Sequence, residues 1–407
     1  ANKPHILKLC FYVVKHLFFV VFYLKALYIY NETKKSYLIS NRRMKMFNRK
    51  WCFVCVLYWI FIGCSCTDKG KKNHVIRIDV SKDYPEKEIL LSEIADVRYV
   101  CMNEGDEYIY GGSPLHVSDN TFVFYSEGSF LFFTKEGEPK SKFNHQGNGP
   151  GEYSYFSKVL YDEANDEFYV LAEKKLIVYS SSGVHKRTFA LPLPDDRRVM
   201  SIALYDETSL VLYDSDSFLR ISKADGSELE RINVSSGEKV QLYLIKQNER
   251  GVSVIANVQN TIVKYQDGLL LSDFSTDTVF YYNKERELLP VLLKEPGIHT
   301  LEPTIYANAF VEAGEYWFYR KIIVKEENGK LPSVYLMQNK EDGSIYEQKI
   351  MMDEFKGKQV RIAPEILTSS SRCGVIELDL LELEEAYDRN LLSGKLKELV
   401  KKVDKEN

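Results

Sequence analysis

Beyond residue 66 the chain carries two cysteines, Cys101 and Cys373, too few for a disulfide framework or a structural zinc cage. They either pair in an oxidising compartment or remain as two buried thiols. Proline (12) and glycine (22) are sparse in 407 residues, which excludes a low-complexity chain. Charge of one sign is also missing. The 54 Lys and Arg are mixed with 58 Asp and Glu for a net charge of −4, so no basic field gathers nucleic acid, and that partner is not expected. His74, His116, His145, His185 and His299 stand too far apart for metal-ligand spacing, so no metal or cofactor is expected. No Gly-x-Ser-x-Gly elbow occurs, and carboxylates are too numerous to single out a glycosidase pair.

The apolar run Trp51 to Gly63 is 13 residues long, too short to span a bilayer, and it follows the basic stretch Met44 to Lys50. It reads as a secretory signal over residues 44–66. Its end, Phe61-Ile62-Gly63-Cys64-Ser65-Cys66, is similar to a bacterial lipoprotein box, with a small residue before each cysteine; Phe61 or Gly63 stands where Leu is usual. Lipid attachment is therefore expected at Cys64 or Cys66, with a simple cleaved signal or an uncleaved anchor as alternatives. Cys52 and Cys55 form a C-x-x-C inside the apolar run, with no downstream pair to complete a metal site. Residues 1–43, with Cys10 and a charge-broken apolar run, read as an upstream extension outside the fold, and residues 67–74 as a polar tether.

The rest restates one module: a β-branched and aromatic run, a turn, then a second such run. Phe122, Phe168 and Leu210 are equivalent positions, and their spacings of 46 and 42 residues match a four-stranded propeller blade rather than a helical repeat. Turns fall at Gly137, Gly183, Asp225-Gly226, Asp267-Gly268 and Asp342-Gly343. Five modules are expected: from Leu115, from Ser157, from Val199, from about Gln241 to Leu293, and from about Thr304 to Met351, the last with a polar tip at Glu326–Lys330. Further strands are expected at Ile76–Val80, Val97–Cys101 and Val375–Leu378. A helix is expected where Leu391, Leu392, Leu396, Leu399, Val400 and Val403 recur at spacings of three and four. Five modules and an irregular sixth predict an all-β, six-bladed β-propeller over residues 75–407 with a short C-terminal helix. Its last blade would be closed by at least one early strand pairing with Val375–Leu378.

Phe143-Asn144-His145-Gln146-Gly147-Asn148-Gly149-Pro150-Gly151-Glu152-Tyr153 is the densest motif. No helix start and no Gly-Lys-Ser/Thr end follows it, so it reads as a crossover between blades before a phosphate cradle, with Gly149 and Gly151 at special backbone angles. With this loop, the lipobox-like leader and the early strands, residues 44–407 resemble the six-bladed β-propeller lipoproteins of unknown function from anaerobic gut bacteria. Members of that family usually end in a strand opened by Asn-Pro, which this chain lacks.

The resemblance implies no reaction, and propellers host enzymes and binding modules alike. Two readings stand: a monomeric, lipid-anchored envelope propeller that binds or scaffolds a glycan, peptide or envelope protein without catalysis, or a carbohydrate-active hydrolase or lyase on the same ring. Any site is expected at the crossover residues His145, Gln146, Asn148, Glu152 and Tyr153 with His116 and Lys158. The location is the cell envelope, on the outer membrane or a periplasmic face.

Overall fold

The computed structural model describes residues 75–102, 114–118, 120–234, 261–273, 275–307, 309–325, 331–363 and 374–406. The leader with Cys64 and Cys66, the tether, the start of module four, the Glu326–Lys330 tip and Cys373 lie outside the described residues.

Two strands, β1 (Ile76–Asp79) and β2 (Glu86–Leu90), come first in the chain, ahead of five runs of strands that each pair antiparallel within a sheet. Sheet one contains β3 (His116–Val117), β4 (Thr121–Ser126), β5 (Ser129–Thr134) and β6 (Pro139–Phe143). Sheet two contains β7 (Lys158–Asp162), β8 (Glu167–Ala172), β9 (Lys175–Tyr179) and β10 (His185–Ala190). Sheet three contains β11 (Ser201–Leu204), β12 (Ser209–Tyr213), β13 (Phe218–Ser222) and β14 (Glu228–Ile232). Sheet four contains β15 (Ile262–Tyr265), β16 (Gly268–Leu271), β17 (Thr278–Tyr282) and β18 (Leu288–Glu295). In sheet five, β19 (Ile305–Ala307) and β20 (Val311–Ala313) both pair with β21 (Tyr316–Ile323), followed by β22 (Ser333–Asn339), β23 (Ile345–Met351) and β24 (Gln359–Val360). The first strands of sheets one to four meet in succession, as in a propeller whose inner strands surround an axis.

Each central strand buries both faces. In β8, Tyr169 and Leu171 pack towards sheet three, while Phe168, Val170 and Ala172 pack towards sheet one. The same alternation sets Ile262 and Leu271 against sheet three and Val263 and Leu270 against sheet five. A fully buried side chain of this size contributes roughly 1.5–3 kcal/mol relative to exposure, so face-to-face sheet packing is the main stabilising force.

The structure corrects the expected closure. β1 pairs parallel with β18 and β2 parallel with β23, so the early strands extend sheets four and five. Val97–Cys101 and Val375–Leu378 form no strand among the described residues. Nothing in the charged run Glu86-Lys87-Glu88 advertises β2. It holds because Lys349 reaches Glu86 at 3.3 Å and Glu88 at 3.1 Å, while Ile89 packs with Ile350 and Met337. The hairpin of β15 and β16 turns at Gln266-Asp267, and Gly268 lies within the strand, where a Cβ would overlap the Tyr282 carbonyl. Cys101 is exposed rather than buried.

At the C-terminus two helices replace the single one expected: α1 (Leu380–Asp388) and α2 (Gly394–Glu406). Asp379 caps α1 by accepting from Glu382 N at 3.1 Å. The break arises because Leu392 bridges to Phe355 and Glu354 Oε2 accepts from Leu396 N at 2.7 Å, which starts a new helix. Ala386, Leu392, Leu396 and Val400 then cover Phe318, Met337 and Ile350 of sheet five. Among the described residues no helix is long and apolar enough to cross a membrane.

Candidate functional site

The Gly-rich segment links β6 to β7, the crossover read from the sequence. It folds on itself: Gly147 N donates to Tyr153 O at 3.0 Å and Tyr153 N to His145 O at 3.1 Å. Asn144 Oδ1 accepts from Gln146 N at 2.7 Å, and Glu152 Oε2 accepts from Gly149 N at 2.8 Å. Gly147, Gly149 and Gly151 have no left-handed backbone, contrary to the special angles expected for the last two. Each lies instead against a neighbouring side chain. A Cβ on Gly147 would overlap the Glu152 carboxylate, one on Gly149 would meet it at 3.0 Å, and one on Gly151 would meet the His185 ring at 3.1 Å.

Most of the proposed site residues are thus brought together, with several of their polar groups bonded to backbone groups of this loop and of its neighbour. His145 Nε2 lies 2.6 Å from Gly183 O, so that nitrogen carries the proton, and its ring stacks on Tyr179 at 5.0 Å and 9°. Tyr179 OH donates to Gly151 O at 2.6 Å, and the Gln146 amide donates to Ser154 O at 3.3 Å. Tyr153 is fully buried beside Phe130 and Phe156; its hydroxyl has no partner among the described residues, and burial pushes its pKa up to about 12. Asn148 is exposed at the tip. Lys158 opens β7 opposite Leu171, half-buried, with no hydrogen bond from its ammonium among the described residues, and burial lowers its pKa. Three positions earlier in the chain, Tyr155 is 58% exposed, while Phe156 meets Tyr125 edge-on at 4.8 Å.

His116 stands apart from the loop. It is 1% exposed on β3, edge-on to Tyr161 at 6.2 Å, and desolvation pushes its pKa down to about 4 despite the opposing charge of Glu163. The unfolded chain therefore binds this proton first. Stability conferred by the neutral imidazole is complete above about pH 6.5 and falls by about 3 kcal/mol as pH drops towards 4. A His116→Leu variant should lose less stability than the native protein between pH 7 and pH 4.5 in urea unfolding; equal losses would show that another group titrates.

Sequence reasoning missed two wholly buried carboxylates, Asp214 and Asp273, at matching ends of β12 and β16. Asp214 accepts from Asp216 N at 3.0 Å and Ser217 N at 2.7 Å and pairs with Arg197 at 3.2 Å; Asp273 accepts from Ser275 N at 2.7 Å and Tyr213 OH at 3.0 Å. The repeated strand–Asp–turn spacing in Tyr213-Asp214 and Ser272-Asp273 is the signal that marks them. Each closes a turn and ties it to a neighbouring element. Among the described residues no three His, Cys, Asp or Glu gather as metal ligands.

A domain of unknown function, DUF4934, matches residues 75–407. The chain belongs to the DUF4934 family. Comparison with curated proteins finds no match. Among solved structures, this DUF4934 chain is similar to a protein of Bacteroides fragilis NCTC 9343 described as exported. The TM-score is 0.54 at 14% identity, covering 80% of this chain and 95% of that one. A DUF4221 family member from Bacteroides vulgatus gives 0.39 at 10% identity over 62% and 85% of the two chains. Virginiamycin B lyase from Staphylococcus aureus gives 0.33 at 10% identity over 54% and 67%. The likeness to the Bacteroides fragilis protein bears on the fold alone.

Proposed function

We propose that this DUF4934 chain is a six-bladed propeller held at the cell envelope by a lipid on Cys64 or Cys66, where it binds or scaffolds a glycan, peptide or envelope protein without catalysing a reaction. The observation that carries the reading is the inward bonding of the crossover loop. His145 and Glu152, the groups suited to proton transfer, are engaged by Gly183 O and Gly149 N. The neighbouring Tyr155 offers an exposed aromatic face, and Lys158 an ammonium without a hydrogen bond among the described residues. Such a pair suits stacking against, and hydrogen bonding to, a polar ligand. The exported Bacteroides fragilis relative supports the envelope location.

The test is binding of soluble glycans and peptides to the full-length protein, with chromatography of the glycans afterwards. Binding should occur without cleavage, and Tyr155→Ala should weaken it at least about tenfold, about 1.4 kcal/mol, while melting is unchanged. Released fragments would establish the hydrolase or lyase alternative. Fatty-acid labelling should disappear in the double variant Cys64→Ala/Cys66→Ala; retained label would place the anchor elsewhere.

A further inference from the structure

The end of β4, the turn that follows it and the crossover loop come together at one rim of the fold. Tyr125, near the end of β4, meets Phe156 edge-on at 4.8 Å and lies 5.1 Å from Phe130, ring centre to ring centre. Phe156 is itself 5.0 Å from Phe130 and 5.9 Å from Tyr153. Phe130 and Tyr153 are wholly buried, whereas Tyr125 and Phe156 are only half-buried. The core thus backs both half-exposed rings and holds them in place. Tyr155, the residue before Phe156, adds a ring that is 58% exposed.

Two amides reach the same rim. The turn at Glu127-Gly128 closes against the Gly-rich segment, so that a Cβ on Gly128 would stand 2.8 Å from Asn144 Nδ2 and 3.2 Å from Gln146 Oε1. Gln146 Nε2 donates to the carbonyl of Ser154, the residue before Tyr155. Its side chain therefore spans from the turn beyond Tyr125 to the segment that carries Tyr155 and Phe156. Asn144 and Gln146 are exposed, and each has bonding capacity to spare. Asn144 spends its side-chain oxygen on Gln146 N, while the Asn144 nitrogen and the Gln146 oxygen have no hydrogen bond among the described residues. One donor and one acceptor are left beside the aromatic rings.

A sugar ring answers both features at once. Its hydroxyls donate as well as accept, and its slightly positive C–H face is drawn to the negative face of an aromatic ring. A peptide backbone supplies the hydrogen bonds but not that face. The charged side chains adjoining the rim in sequence, Glu127 on the turn and Lys158 two residues after Phe156, are of opposite sign, and Glu152 is already held by Gly149 N. No net charge selects an acidic or a basic ligand.

We propose that Tyr125, Tyr155 and Phe156 form a platform for the face of a neutral sugar ring whose hydroxyls bond the side chains of Asn144 and Gln146, so that the ligand is an uncharged oligosaccharide. This rests on the reading that the protein binds a ligand beside the crossover loop, and it narrows that ligand to one class.

The test is calorimetric titration of the full-length protein with neutral hexasaccharides of glucose, mannose and xylose, with hexagalacturonate, and with a tryptic digest of casein. At least one neutral hexasaccharide should bind, and equally well in about 0.05 M and about 0.5 M sodium chloride, because no ion pair is involved. Tyr125→Leu keeps the apolar bulk but removes the ring and should weaken this binding about tenfold, and Gln146→Ala should weaken it several-fold. Binding of hexagalacturonate or peptides alone overturns the neutral-sugar assignment; where Tyr155→Ala abolishes that binding, the broader reading of a binding propeller still stands. Silence of every probe rejects both. Neutral-sugar binding that neither variant alters places the ligand elsewhere and overturns the platform. Should Tyr125→Leu fail to fold, Gln146→Ala decides alone, and unchanged affinity there overturns it.

Discussion

Replacing Lys223 with methionine is expected to destabilise the fold by about 3–5 kcal/mol. Lys223 sits in the hairpin between β13 and β14, and its ammonium donates to Asp162 Oδ2 at 2.7 Å, with side chains only 8% and 7% exposed. Asp162 ends β7, so the pair joins sheet three to sheet two. Without the ammonium, a desolvated carboxylate would keep one side-chain donor among the described residues, the Asn165 amide at 2.9 Å. The double variant Lys223→Met/Asp162→Leu should recover most of the loss, because apolar groups of similar volume replace a buried ion pair at little net cost. Urea unfolding with an unchanged slope measures both. Equal losses in the single and double variants would show that the seam depends on hairpin packing rather than on charge. The same seam carries a second polar tie: Arg187 clasps Glu167 at 2.6 and 2.8 Å and donates to Lys223 O at 2.9 Å.

The sheets were legible where strands bury both faces and are tied by short turns. Phe122, Phe168 and Leu210 mark successive sheets because the same local pattern generates each one. Pairing between distant segments was not legible. Ile76 and Ile78 alternate as a strand should, but nothing local says that Ile76 lies opposite Leu292 in β18. In β2 the pairing overrides a charged sequence, whereas Val97–Cys101 has strand-like residues and no ladder among the described residues. The helix break at Leu392 depends on Phe355 and Glu354, which a helical periodicity cannot register.

The candidate site divides along the same line. That the Gly-rich segment is a crossover follows from the missing helix after it, a local fact. That the Glu152 carboxylate folds back onto Gly149 N depends on loop geometry, and only the structure shows it.

Gly137→Val is expected to destabilise the protein by roughly 3 kcal/mol or more, and the reason concerns how the first and last sheets are held together. Gly137 has φ +89°, and a Cβ there would overlap the Cys101 carbonyl and meet Val100 Cγ1 at 3.1 Å. The arrangement repeats around the fold. Gly183, at φ +85°, abuts Phe143 of sheet one, and Gly226, at φ +76°, abuts Phe189 of sheet two. Each glycine lies in the hairpin between a sheet's third and fourth strands and receives the outer strand of the preceding sheet. No sheet precedes sheet one in the chain, and Val100 and Cys101 take that place. The adjoining Tyr99 packs into the cluster shared by sheet five and the C-terminal helices, and Met102 packs against Phe124, Leu131 and Phe133 of sheet one. One short strap therefore touches both the first and the last sheet. Gly137→Val should increase proteolysis within residues 95–102, whereas Gly183→Val should lose stability without exposing that strap. A loss near 1 kcal/mol, the ordinary strain of a side chain at positive φ, together with native protection of residues 95–102, would show that the strap yields freely and does not hold the two sheets together.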